Sequence, residues 1–332
     1  MVWLRAAVAI CAALVCLAPA ARAQELERAE PGASAVCSIG FFVSDLYDIN
    51  TREGRFGADA WAWSVCTGER DALRTAEYLN AHEQTQALDY TVETPFGLWS
   101  QRKVSGVYRQ HFDVSNYPFD RHTLRIQIED SWNDARTLHY VADDRRSTIR
   151  EALTVDGWRI TDYRVVASEA TYNTAFGDPT APDDARTLYP HLDVEIDIRR
   201  ADLWTFWKLA APLYIASTLT LLTFLMHDEE GLYLNPRLGL LSGVLFAVVL
   251  NMRAVDEVIG ETSRLSLLDN IHLMALALAM FAIGVAAAWT VLTRRGWGSA
   301  RVRRWDKRFF VATGALYVTS NALAIGLAVS AG

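Results

Sequence analysis

Four histidines, His111, His122, His139 and His191, stand among many carboxylates. Their imidazoles titrate between about pH 5 and 8, so a proton could serve as a signal here. Four cysteines occur, and of these Cys37 and Cys66 flank two strand-like runs and can form a bridge. Asn251, Arg253, Asp256 and Glu257 close an otherwise apolar run. Lipid does not accept such groups cheaply, whereas a bundle interior or a water-filled pore does. No GxSxG, no GxxxxGK, no HxxxH-like pair and no CxxC is present. The chain therefore reads as a non-enzyme without a metal site or a cofactor.

Positioning these groups requires two different kinds of element. The 332 residues carry 32 Lys and Arg, 39 Asp and Glu and a net charge of −7, with 51% hydrophobic residues. These averages mix unlike halves. Residues 24–202 hold 19 Lys and Arg against 31 Asp and Glu, and four apolar stretches follow. A single soluble core and a disordered chain are both excluded. The acidic half also argues against a nucleic-acid partner, which would need clustered positive charge. Residues 1–23 read as a signal peptide: Arg5, an apolar centre containing Cys11 and Cys16, then Ala21-Arg22-Ala23 before Gln24.

Residues 24–202 read as an exported antiparallel β-sandwich. Short alternating runs are punctuated by turn residues. In LDVEIDI, Leu192, Val194, Ile196 and Ile198 alternate with Asp193, Glu195 and Asp197, one face dry and one wet. VCSIGFFVSDLY and RFGADAWAWSVC flank the turn-like INTREG, and Cys37 and Cys66 lie equidistant from its middle. A hairpin would set them opposite each other as a structural disulfide. A bulge in either strand would instead leave two free thiols. Residues 69–86 lack strand periodicity and read as helix or loop, and 176–184 as a long loop.

Residues 203–332 read as a transmembrane domain of four helices, about 203–226, 236–255, 271–293 and 309–329. Trp204, Trp207 and Lys208 suit an interface, and Pro212 should bend the first span. The loop 294–308 carries seven Lys and Arg and one Asp, which places it in the cytoplasm. An exported N-terminal domain and four spans give the same orientation, with the C-terminus on the periplasmic side. The chain is accordingly expected in the cell (inner) membrane, among its lipids.

Residues 112–124, FDVSNYPFDRHTL, resemble the signature loop of the pentameric ligand-gated ion channels, the Cys-loop or Pro-loop receptors. Gln110 and Leu124 occupy the positions of the two cysteines of animal members, so that bridge is absent, as in bacterial members. Ser131-Trp132-Asn133-Asp134, Gly157-Trp158, and Arg200 ahead of Pro212 follow in the family's order, and four spans come after them. The resemblance covers about residues 36–331. It implies a homopentamer in which each β-sandwich stands above four helices and the second helix lines the pore.

On the family's pattern, with Arg237 at the inner mouth, the pore face becomes Gly239, Gly243, Phe246, Leu250, Arg253 and Glu257. A register one residue earlier gives Leu238, Ser242, Leu245, Val249, Met252 and Asp256. In either case a ring of bulky apolar side chains at 245 or 246 can close a narrow pore by dewetting. Glu257 and Asp256 at the outer mouth, with the acidic domain above, favour permeant cations. Arg253 and Arg237 oppose them, unless Arg253 pairs with Asp256 or Glu257.

The resemblance also assigns coupling and ligand positions. Tyr117, Pro118, Phe119 and Asp120 of the Pro loop, Arg200, and Asp48 or Asn50 of the first hairpin turn would link the domain to the helices. Asp120 and Arg200 are expected to form a partly buried, bidentate pair. Trp132, Tyr172 and Tyr189 would face Trp61 or Trp63 of a neighbouring subunit around a small amine held by cation–π attraction. The family's Trp-x-Pro segment is missing, with Glu77-Tyr78-Leu79-Asn80 in its place. A proton or a divalent ion is the other candidate agonist. A non-conducting membrane sensor that kept the fold is the alternative to a channel.

Overall fold

The computed structural model describes residues 34–177, 179, 182, 186–201, 203–226, 234–260 and 264–331; the signal peptide expected over 1–23 lies outside them. Ten strands come first: β1 (Ala35–Asn50), β2 (Arg55–Cys66), β3 (Ala76–Tyr78), β4 (Ala81–Thr94), β5 (Gly97–Arg109), β6 (Arg121–Asp130), β7 (Leu138–Ala142), β8 (Thr148–Ile149), β9 (Trp158–Tyr172) and β10 (Thr187–Arg200). One turn of helix, α1 (Ala72–Thr75), precedes β3. Four long helices follow: α2 (Trp204–Thr223), α3 (Leu234–Ile259), α4 (Leu267–Arg294) and α5 (Ser299–Ala331).

The strands form two sheets, in the orders β4-β5-β2-β1-β7, with β8 also on β1, and β3-β6-β10-β9. Alternation decides which side chains lie between them. Leu192, Val194, Ile196 and Ile198 of β10 are all buried, as are Leu124, Ile126 and Ile128 of β6. From the first sheet, Ile39, Phe41 and Val43 of β1 and Phe56 of β2 join the same core. The Tyr163 hydroxyl donates to Phe41 O at 2.9 Å and ties the sheets together. Cys37 opposes Cys66 in the β1–β2 register, and the two are bridged, with S–S 2.00 Å. Register shifts do occur in this pairing, between Val43 and Asp45 and between Tyr47 and Asn50, and both lie on the turn side of the bridge.

Residues 69–86 hold α1, β3 and the start of β4. Most of β4 is exposed on both faces, so no alternation marks it. It is one edge strand of its sheet, and its charged and polar side chains discourage further pairing.

Among the described residues, three helical segments are long and apolar enough to cross a membrane: Pro236–Ile259, Leu267–Arg294 and Ser299–Ala331. The 20-residue α2 falls outside that group; Lys208, Pro212, Tyr214 and several hydroxyl residues dilute its apolar content. The last helix begins at Ser299, so most of the basic stretch expected as loop is helical and only a short turn separates α4 from α5. Asp306 explains the extension. It points inward from α5, fully buried, where Trp289 Nε1 and Arg237 Nη2 bond its carboxylate at 2.7 and 3.1 Å. Arg237 is thus on the buried side of α3 and does not stand at a free mouth.

Candidate functional site

Among the described residues, three contacts between the foot of the sandwich and the helical part stand out. Arg52, in the β1–β2 turn, packs so closely on Gly260 just past α3 that a Cβ there would lie 3.0 Å from its Cγ. Gly260 has φ +90°, a conformation that also favours glycine. In the Pro loop, Ser115 O accepts Leu267 N at 2.9 Å, at the first residue of α4. That helix start is fixed by Ser266, whose hydroxyl accepts Asp269 N while the Asp269 carboxylate accepts Ser266 N. Phe119 leans on Phe206 of α2, ring centroids 6.5 Å apart. Asp48, near the end of β1, is exposed, with φ 51°, and Asn50 Oδ1 accepts Glu53 N to close the turn.

Within this junction Arg200 and Asp120 are paired. Arg200 Nε donates to Asp120 Oδ1 at 2.8 Å, and its guanidinium carbon lies 4.5 Å from the Tyr117 ring centroid and 4.4 Å from that of Trp158. The expected bidentate geometry is not formed, because His122 Nε2 donates to Asp120 Oδ2 at 2.7 Å. Burial alone would raise the Asp120 carboxyl, yet the His122 hydrogen bond and the Arg200 charge outweigh it and hold the pKa below the ordinary value. Tyr117 and Asp120 are buried, and the Tyr117–Pro118 peptide is cis. His122 and Trp158 are the members that sequence reasoning left unassigned here. The Gly157-Trp158 pair was the available signal, since Gly157 O accepts Ala201 N beside Arg200.

The end of the second sheet away from the helices carries an aromatic group. Tyr172, Phe176 and Tyr189 meet edge to face with centroids 5.5 to 5.9 Å apart. The Tyr172 hydroxyl donates to Glu129 at 2.8 Å, and burial followed by this bond pushes its pKa up to about 12. His191 has a carboxylate at each nitrogen: Glu129 lies 3.1 Å from Nδ1 and Asp193 3.4 Å from Nε2. Asp193 and then Glu129, against the opposing effect of burial, raise its pKa. Trp132 follows β6 on a turn near this end and is 85% exposed. Trp61 and Trp63 are partly buried on β2, in the other sheet, where Trp63 Nε1 donates to Asp143 at 3.0 Å. One chain thus brings Tyr172 and Tyr189 together and leaves Trp61 and Trp63 apart from them.

Helix α3 has two unlike sides. Arg237, Leu241, Val244, Val248, Val255 and Ile259 form a buried stripe at helical spacing. Gly239, Gly243, Phe246, Leu250, Arg253 and Glu257 are all exposed and lie opposite it. In the other register Ser242, Val249 and Asp256 are exposed, while Leu238, Leu245 and Met252 are partly buried. Arg253 forms no ion pair among the described residues. Asn251 turns inward instead, donating to Leu209 O at 2.9 Å and to His272 Nε2 at 3.1 Å, with His272 Nδ1 bonded to Leu268 O. This link between α2, α3 and α4 satisfies the polar group without water.

Among the described residues no three His, Cys, Asp or Glu side chains gather as a metal site. No family model matches the chain, and no curated protein matches it either.

Proposed function

We propose that the chain is the subunit of a homopentameric ligand-gated ion channel of the Pro-loop type. The observation that carries this reading is the junction. The signature loop holds Asp120 against Arg200 and, three residues before its proline, bonds the first residue of α4. A shift of the sandwich would therefore be felt at the corner between α3 and α4.

In the proposed assembly α2 is the fourth span, and five copies of α3 surround the axis. Their exposed stripe, Gly239 to Glu257, becomes the pore face, with Phe246 and Leu250 as the apolar constriction. Its opposition to the buried stripe supports this register over the one that begins at Leu238. Glu257 at the outer end and the acidic domain favour cations. The Tyr172–Phe176–Tyr189 group and Trp132 would receive a small amine, with Trp61 or Trp63 supplied by the neighbouring subunit. A proton acting through histidine–carboxylate pairs, or a divalent ion, is the other stimulus. The sandwich and the C-terminus face the periplasm, and residues 294–308 lie on the cytoplasmic side of the inner membrane.

One observation favours a second reading. Arg253 is exposed on the same face, one turn below Glu257, with no ion pair among the described residues, and five copies would oppose cation passage. A non-conducting membrane sensor would tolerate that ring. Current recording from the purified protein in planar bilayers, scanned over pH, amines and Ca2+, separates the two. Stimulus-evoked current with a reversal potential following the cation gradient supports the channel. Its absence with an assembled pentamer overturns it in favour of the sensor.

A further inference from the structure

Where the β1–β2 turn meets the start of β4 and the end of β5 lies a cavity of about 540 Å³. Gly54 and Arg55 line it from the turn and β2, His82 from β4, and Arg109, Gln110 and His111 from the end of β5. Its volume falls in the range of small-molecule pockets, about 300–1,000 Å³. Backbone contacts fix two of its walls against each other. Gln110 N donates to Gly54 O at 2.7 Å, and a Cβ on Gly54 would lie 3.0 Å from Gln110 O.

Two cations of this lining are set against each other. Arg55 and Arg109 stand directly opposite in the β2–β5 register, and like charges so placed destabilise a sheet. Only one of them is answered among the described residues. Glu53 pairs with Arg55 at 2.7 Å, through Nη2, while the Arg55 Nε is buried with no hydrogen-bond partner. Arg109 has no carboxylate partner among the described residues; its Nη2 donates to His82 Nδ1 at 3.4 Å. A guanidinium only donates, so His82 Nδ1 accepts and the ring proton sits on Nε2, a further donor. His82 is the extra residue of a bulge, between Ala81 and Glu83 of β4, and a bulge re-aims the side chain it carries.

We infer that this cavity binds a small organic anion whose carboxylate or phosphate group is held between Arg55 and Arg109, with His82 as a third donor. An anionic group placed there relieves the opposition of the two guanidinia and gains charge-assisted hydrogen bonds from both. Glu53 already answers one of the two charges, so a single anionic group balances the other. A neutral ligand would leave that opposition in place, and a cation would add to it. The ligand would join the turn that carries Arg52 to the strand that leads into the Pro loop, two segments that touch the helical part. The inference requires only the sandwich and does not rest on the channel reading.

The full chain, purified in an uncharged detergent and a chloride buffer free of phosphate and carboxylates, is titrated calorimetrically with succinate and with glycerol phosphate. Saturable binding of either supports the site, and the arm that binds more tightly names the anionic group it takes. Arg109→Gln should weaken that binding by about ten-fold or more, the effect of losing one charged hydrogen bond. Arg136→Gln removes an equal charge from the turn beside Trp132 and should leave the affinity unchanged. If Arg109→Gln does not fold, judged by its melting curve, His82→Leu at the exposed bulge decides instead and should weaken binding several-fold. Absence of saturable binding in both arms overturns the proposal. So does an unchanged affinity in Arg109→Gln, or a loss in Arg136→Gln as large as the loss in Arg109→Gln.

Discussion

Arg200 reaches Asp120 across 80 residues of sequence and gives it only one of the two hydrogen bonds it could make. His122 takes the second carboxylate oxygen, and the Tyr117 and Trp158 rings flank the guanidinium. Four side chains from the Pro loop, β6 and β9 therefore fix the charge of Arg200, at the end of β10, at the foot of the sandwich.

Replacing that charge tests its role. In Arg200→Gln, Asp120 keeps His122, so the loss of stability should be that of one charged hydrogen bond, about 1.5–3 kcal/mol. The pentamer should survive size-exclusion chromatography while stimulus-evoked current is lost, and charge reversal in Arg200→Glu should act more strongly. Currents of unchanged size and threshold in Arg200→Gln would remove Arg200 from the coupling path.

The strands facing the core were legible because burial there follows a period of two, and Leu192 to Ile198 announce their own inward face. Cys37 and Cys66 were legible for a related reason: a hairpin register is fixed by distance from its turn. The edge strand β4 was not, since a strand wet on both sides leaves no alternation. Asp306 was hidden too. In sequence it is the one acid among basic residues and reads as solvated, whereas its partners Trp289 and Arg237 come from other helices. The same holds for Arg102, which is buried against Asp71 and Asp89 at 3.0 Å although β5 shows only an ordinary strand pattern. Pairs between distant segments carry no local signature. Asp120 and Arg200 were brought together only by the resemblance of the loop around them.

His191 predicts a pH dependence of stability. Its folded pKa is raised above the ordinary 6.5 by Asp193 and Glu129. Folding then favours the protonated form, so the stabilisation is full below about pH 6.5 and is lost as pH rises through the folded value. Melting curves of the intact protein should shift to lower temperature over that upward window. His191→Gln should remove this part of the slope; an identical slope in the variant would assign it to other groups.

The Cys37–Cys66 bridge closes a loop of sequence separation 29. Constraint of the unfolded chain by a loop of that size is worth about 3–4 kcal/mol. Cys37→Ala/Cys66→Ala should therefore lower the stability of the sandwich by that order in denaturant melts. The buried aromatic junction 120–200 should keep its near-ultraviolet signal below the new transition. A loss under about 1 kcal/mol would mean that the unfolded chain is already held near this geometry without the bridge.

The two possible pore faces of α3 differ by one residue, which turns the helix by about 100°. Single cysteines can therefore tell them apart, because the two cysteines of the sandwich are already bridged. Phe246→Cys and Leu250→Cys place a thiol on the exposed stripe, whereas Leu241→Cys, Val244→Cys and Val248→Cys place it on the buried one. A water-soluble thiosulfonate should reduce the current of the first two and leave the other three untouched. Phe246→Ala should in addition raise the unstimulated current, because a smaller ring at that level no longer dewets the pore. Block at Leu245→Cys and Val249→Cys with silence at 246 and 250 would move the pore face to the earlier register. Reactivity at every exposed position without any effect on current would separate α3 from conduction altogether.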